Sequence, residues 1–120
     1  MPQRKSNTLG QLGENYACHF LQEKGYTVLD RNFHSRFGEI DIIAQENGAL
    51  VFVEVKTRRN TKHGFPEDAV TDDKLEKIKM TGHIYKKKTN NKVKKLRIEV
   101  VSLLVNPDNT IARTRHIKVG

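Results

Sequence analysis

Asp41, Glu54 and Lys56 are the residues whose types and spacing could do chemistry. Two carboxylates sharing a divalent cation, with an amine beside them, could activate a water against a phosphate ester. Oxygen-only ligands suit Mg²⁺ or Mn²⁺. Lys56 would then orient or deprotonate that water, or stabilise charge on the phosphate.

The segment Gly38–Thr57, GEIDIIAQENGALVFVEVKT, must bring these groups together. It alternates with a period of two on both sides of Asn47-Gly48, and predicts a β-hairpin. Both turn residues accept positive φ, the strongest short hairpin signal. Counting outward pairs Gln45 with Leu50, Ile43 with Phe52, Asp41 with Glu54 and Glu39 with Lys56. One face is then Ile40, Ile42, Ala44, Val51, Val53 and Val55, a core face. The other opposes two carboxylates at roughly 5 Å between Cβ atoms, an arrangement that repels unless a cation intervenes. The plain alternative is an ordinary Glu39–Lys56 ion pair, with Asp41 and Glu54 pointing into water.

This pattern resembles the active-site core of the PD-(D/E)XK nuclease superfamily, with Asp41 as first acid and Glu54-Val55-Lys56 as the E-x-K element. The chain more closely resembles the YraN family of small bacterial proteins, which are similar to Holliday-junction resolvases. The matching stretches are Gly13-Glu14, Gly25-Tyr26, Arg31-Asn32-Phe33, Gly38 to Asp41, Val51 to Lys56, Gly64-x-Pro66, and Ala69-Val70 followed by Lys74. Ile40 stands where the superfamily has proline, and Asp68 where the family glutamate is expected. The resemblance implies a restriction-endonuclease-like mixed β-sheet flanked by helices. It also implies a metal-dependent nuclease acting on DNA phosphodiesters, structured or branched. Glu14 joins Asp41 and Glu54 as a metal ligand, and Lys56, Glu54 and Asp41 form the catalytic set. The alternative is a nucleic-acid-binding module that keeps the fold without cutting.

The 120 residues suit one domain with one modest core. Lys and Arg total 22 against 14 Asp and Glu, a net charge of +8. Such an excess implies a polyanionic partner. No apolar run reaches membrane-spanning length and no signal peptide is visible. The single Cys18 has no disulfide partner. Together these point to the cytoplasm, with no membrane partner and a homodimer left open.

The flanking elements follow from periodicity and caps. Residues 1–6 are polar and basic, and expected to be disordered. A helix is predicted over Thr8–Lys24, capped by Asn7 or Thr8 and ended by Gly25, with Leu9, Leu12, Tyr16, Phe20 and Leu21 as its buried stripe. Periodicity alone leaves Glu14 a solvent-facing residue favoured by the helix dipole. A short strand, Tyr26–Asp30, leads into a basic and aromatic connection containing Arg31 and Arg36, suited to phosphate contact and stacking. Phe33 and Phe37 serve equally well there as core plugs. Arg58, Arg59 and Lys62 lie on an expected mobile loop beside Lys56. A second helix is predicted over Asp72–Lys88, capped by Thr71, with Leu75, Ile78, Gly82 and Tyr85 buried. Lys74, Lys86, Lys87 and Lys88 read as phosphate contacts without sequence preference. Leu96–Val105 is predicted as an interior strand, apolar on both faces, and Ile111–Val119 as an edge strand. The order is αβββαββ, an α/β sandwich.

Overall fold

The computed structural model describes residues 8–119; the expected disorder of residues 1–6 lies outside them. Helix α1 (Leu9–Glu23) precedes strands β1 (Thr27–Ser35), β2 (Gly38–Glu46) and β3 (Ala49–Arg58). A short 3-10 turn (Pro66–Ala69) and helix α2 (Asp72–Lys88) lead to β4 (Lys95–Val105) and β5 (Ile111–Lys118). The strands form one open sheet in the order β1-β2-β3-β4-β5. Only β3 and β4 pair in parallel, because α2 carries the chain across between them. The architecture is a mixed α/β fold with the predicted element order. Among the described residues, no helix is long and apolar enough to cross a membrane.

The caps explain where the helices stop. Thr8 accepts the Gln11 N–H while the Gln11 side chain accepts the Thr8 N–H, a capping box. At the other end Gly25 takes φ +94. There the Gly25 N–H donates to the Gln22 carbonyl and the Tyr26 N–H to that of Leu21, a Schellman closure. Thr71 caps α2 by accepting the Lys74 N–H.

The buried face of α1 differs from the predicted stripe. Gly13, Ala17, Cys18 and Leu21 face the sheet, Tyr16 and Phe20 are only half-buried, and Leu9 and Leu12 are half-exposed. Small residues win because the helix approaches the sheet closely: a Cβ on Gly13 would stand 2.0 Å from Thr57 Oγ1. Tyr16 and Phe20 lean instead toward β5, where Phe20 meets the His116 ring edge-on. On the opposite face α2 buries Ile78, Thr81, Gly82 and Tyr85, with Leu75 half-buried. A Cβ on Gly82 would meet the Phe52 ring at 2.3 Å. The sheet is therefore cored on both faces.

Two further expectations are corrected. The first strand does not end at Asp30. It continues to Ser35, so Arg31 lies on β1 and Arg36 in the tight turn after it. Nor is β4 apolar throughout, since Glu99 and Ser102 are completely buried in it.

Candidate active site

The hairpin register is the one counted from its turn. Asn47 and Gly48 take φ +50 and +73. Gln45 pairs with Leu50 and Ile43 with Phe52. The ladder then stops after Ile42–Val53, so the Asp41–Glu54 and Glu39–Lys56 backbone pairs do not form. Instead the Val55 N–H donates to Asp41 Oδ2 at 2.8 Å. The side chain has taken the place of the strand.

Across on β1, Arg31 pairs with Ile42 and Phe33 with Ile40, leaving Asn32 at φ +53 between them. This left-handed residue breaks the alternation locally. Ile40 consequently joins Ile43, Leu50, Phe52 and Ile78 on the α2 side, not the Ile42 and Val53 core face where the period of two put it.

Asp41 and Glu54 do not point into water. The Glu54 side chain is 4% exposed, and its Oε1 is buried without a hydrogen-bond partner. Burial, then the charge of Glu54, pushes the Asp41 carboxyl up to about 7 despite the Val55 N–H. Burial also raises Glu54, opposed by Lys74 and then Lys56. Their ammonium groups lie 3.6 and 3.9 Å from Glu54 Oε2. Lys74, read from sequence as a phosphate contact, is thus part of this pocket, held there by the first turn of α2. Glu39 pairs with His34 across β1, so the plain Glu39–Lys56 ion pair is not made.

A buried and a half-buried carboxylate, with one buried oxygen unpartnered, are a donor set that a hard cation would satisfy. Glu14 does not complete it in this arrangement. Its Oε1 accepts from Arg31 Nε and Nη2 at 3.2 and 2.8 Å and from Asn32 Nδ2 at 2.9 Å. Among the described residues, no group of three His, Cys, Asp or Glu side chains is placed to hold a metal ion.

The basic residues divide. Arg31 is engaged by Glu14 and Asn15. Arg59 donates to the Asn106 carbonyl and to Asn109, which ties its loop to the β4–β5 turn. Arg58 is the last residue of β3, not part of the loop where the sequence put it, and donates to the Thr57 carbonyl; Arg36 lies over the Phe37 ring. Lys62, Lys87 and Lys88 are exposed and Lys86 half-buried. Lys86 and Lys87 line a shallow basic hollow with Lys92 and Lys94 at the end of α2.

Sequence reasoning passed over two polar centres. Glu67 accepts from both terminal nitrogens of Arg113 at 3.1 and 2.9 Å, which chiefly holds its carboxyl at about 2, and from Ser102 at 2.5 Å. Burial would raise Glu99, but hydrogen bonds from His116, Arg97 and Tyr26 outweigh it and bring that carboxyl to about 2. For Glu99 the available signal was a lone acid among apolar strand residues, which demands a partner; Glu67, in the 3-10 turn, gives no such signal.

The comparison with known proteins identifies the family. Residues 13–103 match the uncharacterised protein family UPF0102. A UPF0102 protein of Syntrophomonas wolfei is 45% identical over 97 residues, 81% of this chain and 84% of its own length. One from Persephonella marina is 43% identical over 97 residues, with the same shares. Another, from Caldanaerobacter subterraneus, is 36% identical over 118 residues, 98% of this chain and 97% of its own. The chain belongs to the UPF0102 family, the YraN family that its motifs resemble.

Proposed function

We propose that this protein is a Mg²⁺-dependent nuclease of the PD-(D/E)XK type, with a restriction-endonuclease-like fold, that hydrolyses DNA phosphodiesters in the cytoplasm. The observation that carries this reading is buried Glu54 beside half-buried Asp41, with an unpartnered Glu54 Oε1 and two flanking lysines. A fold that draws two acids together out of water loses stability unless something binds them.

Asp41 and Glu54 would hold the metal. When bound, Mg²⁺ or Mn²⁺ polarises a phosphate and lowers the pKa of a water. Lys56 orients that water and offers a proton donor, and Lys74 adds positive charge against the phosphate oxygens. The lysines at the end of α2 hold the flanking backbone by charge alone. Glu14 becomes a third ligand only by exchanging out of its bonds to Arg31 and Asn32.

That engagement of Glu14 favours a second reading, a nucleic-acid-binding module that does not cut. The two separate on a panel of linear, flapped and four-way DNA incubated with Mg²⁺ or Mn²⁺. The nuclease reading expects wild type to cut at least one substrate, and Asp41→Asn to cut none while binding them equally. A wild-type protein that binds the panel, cuts nothing and takes up no Mn²⁺ in calorimetry is the binding module.

A further inference from the structure

Three large apolar side chains are exposed among the described residues: Leu29, Phe65 and Val119. Phe65 is the aromatic one, 46% exposed, and it is held in place. Its N–H donates to Asp68 Oδ2 at 3.0 Å, and the next residue, Pro66, is buried. The Arg113 guanidinium lies 4.4 Å from the ring centroid. Arg113 is itself fixed by the two bonds to Glu67, and Glu67 by Ser102 of β4. Phe65 is an open ring on a rigid, cation-backed mount.

Its position ties it to the acid pocket. Phe65, Arg58, Asn60 and His63 line one hollow beyond the end of β3. The β3–β4 ladder is regular from Ala49 to Arg58, so Arg58 projects on the same side as Glu54 and Lys56. Four residues of strand put it roughly 13 Å beyond Glu54. A nucleic acid with a phosphate at Glu54 and Lys56 that runs along β3 would pass Arg58 toward Phe65.

We propose that Phe65 is a stacking platform for an unpaired nucleobase, so that the site takes single-stranded or splayed DNA in preference to continuous duplex. A π face backed by Arg113 receives a base of any sequence, while Arg58 and Lys62 meet its phosphates. Bases inside a duplex are stacked on each other and offer no free face. This inference rests on the nucleic-acid reading above but not on cleavage.

The test measures binding in EDTA, which keeps the DNA intact. Probes of equal length are a single strand, a splayed fork and a blunt duplex, with 2-aminopurine at the first unpaired position of the fork. Wild type should prefer the first two and quench the 2-aminopurine. Phe65→Ala and Phe65→Leu should each weaken the single strand and fork by roughly five- to a hundredfold, leave the duplex unchanged and abolish the quenching. Phe65→Tyr should restore both. Equal weakening on all three probes, or no change in Phe65→Ala, overturns the proposal while leaving the nuclease reading intact. Failure of wild type to bind any probe removes both.

Discussion

Replacing Asp41 by Asn probes the paired acids without any substrate. The Asp41 carboxyl rises from 3.8 to about 7 in the folded chain, through burial first and the charge of Glu54 second. An acid whose folded pKa is raised binds its proton more tightly when folded. Its ionisation therefore opposes folding: the loss begins above pH 3.8 and is complete above about pH 7. At about 1.4 kcal/mol per pH unit, the full loss is about 4 kcal/mol, of which about 3 kcal/mol accrues between pH 5 and pH 8. The substituted amide deletes the charge, keeps the shape, and retains an oxygen for the Val55 N–H.

Urea unfolding in EDTA is the assay. Asp41→Asn should be more stable than wild type by about 3–4 kcal/mol at pH 8, with the gap shrinking to about 1–2 kcal/mol at pH 5. Mg²⁺ at a hundred times its Kd should return about 2.7 kcal/mol to wild type at pH 8 and much less to the variant. A gap of the same size at both pH values, or a variant less stable than wild type, refutes the buried-charge argument.

Two further outcomes follow from the packing and the charge. Gly82→Ala drives a methyl into the Phe52 ring at 2.3 Å and should cost about 1–3 kcal/mol in urea unfolding, with α2 displaced from the sheet. Neutralising Lys86, Lys87 and Lys88 together should weaken DNA binding alike for all sequences and flatten its salt dependence, by about 0.7–0.9 in the log–log slope for each phosphate left without its cation. Binding unchanged between low and moderate salt would contradict the second.

What was legible in the sequence was local. Asn47-Gly48 sets the hairpin register because turn chemistry and period-two alternation act within a few residues. Thr8, Gly25 and Thr71 mark helix ends for the same reason. The errors arise where distant residues decide. The buried face of α1 follows from close approach to Thr57, so small residues displaced the larger apolar ones that hydrophobicity favoured. Glu99 can be buried only because Tyr26 and His116 reach it from other elements. Lys74 looks like one of many surface lysines until α2 brings it to Glu54.

The break beside Asp41 shows why the candidate site was harder to read than the fold. A regular β2 would place Ile40 with Ile42 and would spend the Val55 N–H on the ladder. Asn32, on a different strand, takes a left-handed conformation that asparagine tolerates better than most residues. The ladder opens opposite it, Ile40 turns to the α2 core, and the Asp41 carboxylate reaches Val55. The same kink places Arg31 and Asn32 against Glu14. One irregular residue thus sets the position of the first acid and the engagement of Glu14. Period-two counting finds the acids on adjacent strands, but the geometry between them is set by a departure from that period.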